Sequence, residues 1–296
     1  MSGGTVRTLA GRARSRLPEP AVRAARAVLL GWGWLTADLR EEPRVIVVGA
    51  QRAGTTTLFR LLSEHPHLRR PTVDKGTGYF DDGYRHGRRW YRAHFPLRRP
   101  GRWRRTSFEC SGYYLFHPLA AERIARDLPG VQVVAMVRDP VARAHSAHRH
   151  ELARGFETLP FADAVDREPE RTAGLGARLV AEPGTRSFEH RHHAYLQRGE
   201  YAEQLRRFAE ELGPDRVHVV EADELFADPV PVYLDLQRRL GLPLHRPDHV
   251  GRWNERPGEP LPPELEARLR QHFDDHDAAL AELLGREPSW RKESLR

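Results

Sequence analysis

The sequence predicts an α/β fold, a parallel sheet flanked by helices on both faces, and three observations point to it. Apolar runs rich in β-branched residues recur at Val45–Val48, Val131–Val137 and Arg216–Val220. Such runs, apolar throughout rather than alternating, suit parallel strands buried on both faces. Helical patterns separate them, and strands alternating with helices build this kind of sheet. The first run also breaks at Gly49 and restarts as a helix at Thr55, a strand–loop–helix unit suited to holding an anion.

In chain order, residues 1–43 form a basic N-terminal segment, helical or partly disordered, ahead of a domain over residues 44–296. The segment holds an apolar run, Ala27–Leu35, too short to span a bilayer. The helix after the first strand runs from Thr55 to about Ser63. Tyr79-Phe80 opens an aromatic and basic stretch that ends near Arg105. Pro118–Asp127 reads as a helix, and Arg138-Asp139-Pro140 stops the second strand before a helix over Val141–Arg154. Residues 155–190, rich in proline, glycine and charge, read as an irregular surface excursion. Glu200–Leu212 places Leu205, Phe208 and Leu212 on one helical face. Val230–Leu240 is a helix closed by Gly241. A proline-rich loop over 243–262 leads to a single final helix, Pro263–Leu284, with its proline in the first turn.

A length of 296 residues suits one large α/β domain with appendages. A net charge of +7 and a pI near 9.9 favour anionic partners. The hydrophobic share of 39% is ample for a core and excludes a mostly membrane-embedded chain. The one cysteine, Cys110, excludes a disulfide framework and a cysteine-built metal site. It is compatible with a reducing cytosol, so the expected location is cytoplasmic. Peripheral contact between the basic N-terminal segment and an anionic membrane stands as the alternative to packing on the domain.

The stretch Gly49-Ala50-Gln51-Arg52-Ala53-Gly54-Thr55-Thr56-Thr57-Leu58 aims backbone N–H groups and the positive end of a helix at one point. That is a cradle for phosphate or sulfate. The loop is P-loop-like, yet Thr55 stands where Gly-x-x-x-x-Gly-Lys-[Ser/Thr] puts its lysine, and the loop cation is Arg52. This argues against an ordinary ATPase or GTPase. A second anchor lies at the end of the second strand, with Arg138 and then Ser146 eight residues on. One loop for one phosphate and an Arg/Ser pair for another fit a nucleotide phosphorylated at two separate positions, such as 3′-phosphoadenosine 5′-phosphosulfate (PAPS). No apolar strand ends directly in an aspartate for magnesium, and the scheme calls for no metal.

Together these motifs resemble the PAPS-dependent sulfotransferases, in the branch that includes the heparan sulfate and related carbohydrate enzymes. The resemblance runs from about Arg44 to Trp290. It is carried by the loop, by Lys75-Gly-Thr-Gly-Tyr-Phe80, by Trp90-Tyr91 with Phe95-Pro96, by Glu109–Leu115 and by Arg138–Ser146. Weaker matches follow at Tyr201–Leu205, Glu221–Leu225 and Trp290. The resemblance implies a sulfotransferase fold. It implies transfer of a sulfuryl group from PAPS to a hydroxyl, or secondarily an amine, of a carbohydrate, glycolipid or small natural product, with PAP as product. It further implies that Gln51, Arg52, Ala53, Gly54, Thr55, Thr56 and Thr57 hold the 5′-phosphosulfate and that Arg138 and Ser146 hold the 3′-phosphate. Arg52 then lies beside the bridging oxygen as a catalytic residue, and Lys75 is retained as a second catalytic cation.

The chain departs from that family on the acceptor side. The common pattern Lys-Glu-x-His-[Phe/Tyr]-Phe places a general-base glutamate and a histidine where Gly76 and Gly78 stand, and Cys110 replaces a lysine that often follows Glu109. Replacement bases are sought among Asp74, Asp81, Asp82, His86, Glu109, His148 and His150. An aspartate from residues 74–82 is favoured, with Asp74 carried as the catalytic candidate; the plain alternative for each aspartate is a turn or a cap. By analogy with phosphoryl transfer, a loose transition state asks little of the base, while Arg52 and the helix N-terminus at Thr55 meet the charge growing on the leaving oxygen.

Two other features carry weaker signals. Arg85–Arg92 with Arg98, Arg99, Arg102, Arg104 and Arg105 is a basic block suited to an acidic glycan, a lipid headgroup or nucleic acid, with Trp90, Tyr91 and Phe95 read as core. Nucleic acid is disfavoured, because no recognised motif accompanies the charge. His190, His192 and His193 are too closely spaced for an obvious metal site. The competing functions are a divergent nucleotide kinase, against which the missing lysine argues, and a non-catalytic PAP-, lipid- or glycan-binding relative, which Gly76, Gly78 and Cys110 keep open.

Overall fold

The computed structural model describes residues 18–98, 105–247 and 260–292. The first 17 residues of the basic segment, Arg99, Arg102 and Arg104 of the basic block, and residues 248–259 of the proline-rich stretch lie outside the described residues. Helix α1 (Glu19–Leu35) precedes the sheet and rests on α3 (Gly87–Arg92), where Arg89 covers the Trp34 ring at 4.6 Å. Between them lie β1 (Pro43–Gly49), α2 (Thr55–Glu64) and β2 (Leu68–Arg69).

Beyond α3 come β3 (Thr106–Cys110), α4 (Ala120–Asp127), β4 (Gln132–Val137) and α5 (Pro140–Ala153). The chain continues through α6 (Phe161–Asp166), α7 (Glu168–Thr172), α8 (Leu175–Ala181), α9 (Phe188–His192) and α10 (Tyr201–Leu212) to β5 (Val217–Glu221). It ends with α11 (Ala222–Ala227), α12 (Pro229–Arg239), α13 (Pro263–His272), α14 (Asp274–Leu284) and α15 (Ser289–Lys292). The five strands form one parallel sheet in the order β2-β3-β1-β4-β5, with helices on both faces.

Strand β1 is central, and its Val45, Ile46, Val47 and Val48 are all buried, as an apolar run in a doubly covered parallel strand must be. From β1 the sheet grows through β3 to one side and β4 to the other. The strand order therefore reverses between β1 and β4, and ligands of open α/β sheets bind beyond the carboxyl ends at such a reversal. The Gly49–Thr55 loop follows β1 and Arg138 follows β4, so both expected anchors stand at this point.

Three expectations are corrected. The segment 155–190 is not irregular: it folds into α6, α7, α8 and the start of α9. Several of its breakers mark helix starts: Pro160 stands ahead of α6, Pro169 lies in the first turn of α7, and Gly174, at φ 69°, stands ahead of α8. Phe161, Ala164 and Val165 then join Val141, Ala144, Ala147, Tyr195, Leu269 and Phe273 in a second, smaller core, which the sequence pattern concealed because no helix there is long enough to show its period. The single final helix is two, α13 and α14, parted at Phe273, whose ring is buried in that same small core. Two strands, β2 and β3, lie in stretches not read as strands; β2 is only two residues long, and β3 carries polar Thr106, Ser107 and Glu109 among its five. Tyr91 and Phe95 are core residues and Trp90 packs against the core, as expected.

Candidate functional site

The loop after β1 is shaped by two left-handed residues, Arg52 (φ 70°) and Gly54 (φ 81°). Gly54 is required there twice over: its backbone favours glycine, and an added Cβ would lie 2.8 Å from the Phe226 ring. Its carbonyl accepts the Thr57 N–H at 2.9 Å, so the helix starts without a side-chain cap. The threonine hydroxyls are thereby released for other work. Lys75 Nζ donates to Thr55 Oγ1 at 2.9 Å and reaches Thr56 Oγ1 at 3.5 Å, while Thr57 Oγ1 is buried with no hydrogen-bond partner.

An ammonium held by hydroxyls at the N-terminus of a helix adds positive charge to the positive end of the helix dipole. An anion resolves that arrangement, and the unpartnered Thr57 hydroxyl offers it a further hydrogen bond. Ala53 is fully buried and spends its N–H on the Ala50 carbonyl, at 3.2 Å.

The second anchor joins the first. Asp139 caps α5, its carboxylate accepting the Val141 and Ala142 N–H groups at 2.9 and 3.3 Å, and this starts the helix that carries Ser146. Arg52 Nε donates to Ser146 Oγ at 3.1 Å, so the loop cation and the serine of the second motif touch. Arg138 hangs from the end of β4, with its carbonyl fixed by the Tyr201 hydroxyl at 2.9 Å and its Nε buried without a hydrogen-bond partner. Beside it, burial lifts the Asp223 carboxyl above its ordinary value despite the Arg138 charge. An Arg138 nitrogen with no acceptor, like the Thr57 hydroxyl, fits a phosphate-bearing ligand between the strand ends.

Gln51 opens onto a polar wall that the sequence reading missed. Its Nε2 donates to Glu151 Oε1 at 3.1 Å, and its Oε1 accepts from Arg198. Arg198 lies over the Tyr113 and Phe116 rings at 5.0 and 5.2 Å, and burial lowers its pKa to about 10. Burial alone would raise the Glu151 carboxyl, but hydrogen bonds from His192 and Gln51 hold it below its ordinary value. Arg191 also lies over Tyr113, at 4.8 Å, and pairs with Asp82 at 2.5 Å. Glu168, buried and lifted to about 7, receives the N–H groups of Leu196 and Gln197 and so fixes the turn that presents Arg198. Tyr113 sits inside the Glu109–Leu115 motif, and that was the one signal for this wall.

The candidate bases separate by their surroundings. Asp74 is taken up in an ion pair with Arg26 of α1. Glu109 is fully buried and accepts from Thr77 N–H and Oγ1, the Tyr114 hydroxyl and the Tyr91 hydroxyl, at 2.7–2.8 Å, which makes it a structural carboxylate. His86 is exposed and stacks on Trp90, and His148 Nε2 is bonded to the Leu159 carbonyl at 2.8 Å.

Asp81 differs from these. It is 3% exposed, its Oδ1 accepts the Asp82 N–H at 2.5 Å and lies 3.8 Å from Arg191, and its Oδ2 has no partner. Burial raises it to about 7. It also lines a surface depression with Asp82, Tyr84 and His117. Gly76 cannot carry a side chain in this backbone, because an added Cβ would lie 2.5 Å from the Cys110 carbonyl oxygen. His190, His192 and His193, too closely spaced for an obvious metal site, each take a separate partner: His190 meets the Tyr113 hydroxyl, His192 meets Glu151, and His193 meets the Phe156 carbonyl.

A model of the sulfotransferase domain matches residues 42–256. The chain belongs to the sulfotransferase domain family. Among curated relatives, a human bifunctional heparan sulfate N-deacetylase/N-sulfotransferase 3 is 25% identical over 292 residues, covering 86% of this chain and 31% of the relative. A human heparan sulfate glucosamine 3-O-sulfotransferase 5 is 24% identical over 205 residues, covering 69% of this chain and 55% of the relative. The chain thus spans about a third to a half of the length of these proteins. A sulfotransferase from Alicyclobacillus acidocaldarius has a similar solved structure, with 28% identity and a TM-score of 0.67 over 84% of this chain and 99% of that one. Family and fold support sulfuryl transfer as the reaction class. Among the described residues no helix is long and apolar enough to cross a membrane.

Proposed function

We propose that this sulfotransferase takes its sulfuryl group from PAPS and delivers it to a hydroxyl, or secondarily an amine, of a carbohydrate, glycolipid or small natural product. The observation that carries the reading is the cradle. Lys75 is bound by hydroxyls at the N-terminus of α2, the Thr57 hydroxyl of the same turn is buried and unpartnered, and at the end of the neighbouring strand the Nε of Arg138 is likewise buried and unpartnered. Two anion-seeking groups on neighbouring strand ends fit a nucleotide with phosphates at its 3′ and 5′ positions.

In this reading PAPS supplies an activated sulfuryl group on a phosphate leaving group. Gln51, Arg52, Ala53, Gly54, Thr55, Thr56 and Thr57 hold its 5′ end, and Arg138 and Ser146 its 3′-phosphate. Arg52, Lys75 and the α2 dipole offset charge on the leaving oxygen; losing one such contact typically costs about 100- to 1,000-fold in rate. Asp81 replaces Asp74 as the preferred proton acceptor. Its burial places its pKa near 7, where a general base works well, and its Oδ2 is unpartnered, whereas Asp74 is spent on Arg26. The wall of Arg191 and Arg198 favours an acceptor with anionic or hydroxyl-rich character, in keeping with the heparan sulfate sulfotransferases to which the chain is similar.

Calorimetric binding of PAP and ATP to the wild type and to Arg138→Ala tests the donor assignment. PAP should bind in preference to ATP, and the variant should lose at least about 10-fold in PAP affinity, as expected for a hydrogen bond to a charged group worth about 1.5–3 kcal/mol. Equal binding of PAP and ATP, or a variant with undiminished PAP affinity, refutes the 3′-phosphate reading.

A second reading, a non-catalytic PAP- or glycan-binding relative, is favoured by Gly76, where the backbone leaves no room for the family's glutamate. It predicts PAP binding without sulfated product. The surface also supports membrane contact. Helix α1 exposes Val28, Leu29, Trp32, Trp34 and Leu35, with Trp32 57% exposed, and Arg23 lies on the same helix. Arg7, Arg12, Arg14 and Arg16 precede it in the sequence. Exposed tryptophans beside arginines suit the interface of an anionic bilayer.

A further inference from the structure

We propose that Glu200, His272 and His276 bind a divalent transition metal of the zinc class, and that the ion ties α13 and α14 to the start of α10, behind the turn carrying Arg138. His272 closes α13 and His276 lies in the first turn of α14. Between them, Phe273 donates its N–H to the Leu269 and Arg270 carbonyls at 3.2 and 3.1 Å, and its carbonyl accepts the Asp277 N–H at 2.8 Å. Helical register therefore runs through the break, and two imidazoles four residues apart share one face, with ring centroids 5.4 Å apart.

Glu200, at the N-cap of α10, meets them from another element. Its Oε1 lies 3.4 Å from His272 Nε2 and 3.7 Å from His276 Nε2, and the three ligand atoms all fall within 4.8 Å of one another. Ligands about 2.0–2.2 Å from a tetrahedral zinc ion are spaced about 3.4 Å apart. The two carboxylate–imidazole distances are thus close to tetrahedral spacing already. Two imidazole nitrogens and one carboxylate oxygen are a donor set that zinc accepts, with a fourth position for water. Magnesium and calcium prefer oxygen ligands and fit less well. All three side chains are partly exposed, so an ion can enter from solvent.

The surroundings give the clamp its consequence. Gly199, next to Glu200, packs closely against Phe273 and Pro140. The Tyr201 hydroxyl holds the Arg138 carbonyl at 2.9 Å, and Arg270 reaches Asp139 at 3.4 Å. An ion joining α10 to α13 and α14 would therefore brace the 138–140 turn from behind. The proposal does not depend on the identity of the sulfuryl donor.

Zn²⁺ titrated calorimetrically into the untagged, chelator-free chain at about pH 7.5, where unperturbed imidazole is mostly neutral, is the primary test, with Co²⁺ as a spectroscopic probe. The expected result is one Zn²⁺ per chain at this site, visible ligand-field bands with Co²⁺, and a higher melting temperature with Zn²⁺. Outer-shell partners of metal sites are worth about 10–100-fold in affinity, so losing a ligand in His272→Ala or His276→Ala should weaken binding by more than about 100-fold and remove the bands. Glu200→Gln, which keeps the side chain's shape, should weaken binding too, while His192→Ala, at a histidine outside this set, should leave both readouts intact. No Zn²⁺ binding, or binding that survives both histidine substitutions, overturns the proposal.

Discussion

Asp81→Asn probes a carboxyl that the fold strains and the proposed reaction uses. Burial holds Asp81 at about 7 instead of 3.8; the Arg191 charge pulls the value down and the Asp82 charge pushes it up. At about 1.4 kcal/mol per pH unit, keeping the group ionised in the fold costs roughly 4 kcal/mol. The folded value lies above the unfolded one, so the stabilisation from the neutral acid is complete below about pH 4 and is lost as pH rises through about 7. Asparagine has nearly the same shape and no charge to desolvate. The variant should therefore gain on the wild type as pH rises from about 4 to about 7, by at most roughly 4 kcal/mol, a figure that already includes the Arg191 attraction. At about 2–4 °C per kcal/mol for a domain of this size, several degrees of melting temperature are at stake above pH 7. The same substitution removes the proposed base, so turnover should fall by about 100- to 10,000-fold and the rise of kcat through about pH 7 should vanish. Thermal melts across that pH range, with turnover of any accepted acceptor measured in parallel, read out both effects. A variant that gains nothing with pH refutes the burial argument; one that gains stability but keeps the kcat limb refutes Asp81 as the base.

Two further substitutions test neighbouring claims. Gly76→Ala should lower stability by about 1–3 kcal/mol in a denaturant melt, the usual cost of overpacking, because its Cβ would meet the Cys110 backbone carbonyl at 2.5 Å; an unchanged midpoint would show that the backbone yields there. Trp32→Ala with Trp34→Ala should weaken co-sedimentation with anionic vesicles and leave the melting temperature within a few degrees, since both rings are about half exposed; unchanged sedimentation removes the membrane contact.

The strands were legible where burial on both faces left a continuous apolar run, as in β1 and β4, and illegible where it did not. β3 runs Thr106-Ser-Phe-Glu-Cys110 because its polar groups are satisfied inside the fold: Ser107 donates to Glu41, and Glu109 is enclosed by Thr77, Tyr91 and Tyr114. A composition-based reading sees those residues as surface. The short helices α6 to α9 escaped for a different reason. Five to seven residues complete too little of a turn pattern, and Pro160 and Gly174, placed at caps, look like breakers. The loop and Arg138 were legible because each combines a strand end with chemistry that few other arrangements require. The wall behind Gln51 was not, because Glu151, Arg191 and Arg198 come from three separate elements and only the fold brings them together.

In the proposed reading the acceptor side departs from the family by a coupled change rather than by a single lost glutamate. Cys110 stands where a lysine is common, and its carbonyl closes on Gly76, so the two departures occupy one contact. The thiol turns inward to the Thr55 carbonyl at 3.6 Å, under the first turn of α2, and burial raises its pKa. A charged lysine head at that depth would sit beside Lys75 and the positive end of the helix, which is electrostatically worse than a small neutral thiol. With the glutamate excluded by the backbone, the proposed base moves to a later position of the same loop, Asp81, whose Oδ1 lies 3.2 Å from where a Cβ at Gly78 would stand and whose pKa burial lifts to about 7. In the proposed reading the donor half asks for fixed positive charge, which Arg52, Lys75 and Arg138 supply. The acceptor half asks only for a proton acceptor of suitable strength, and a loose transition state relaxes even that demand, which is why this half can be rebuilt around a glycine.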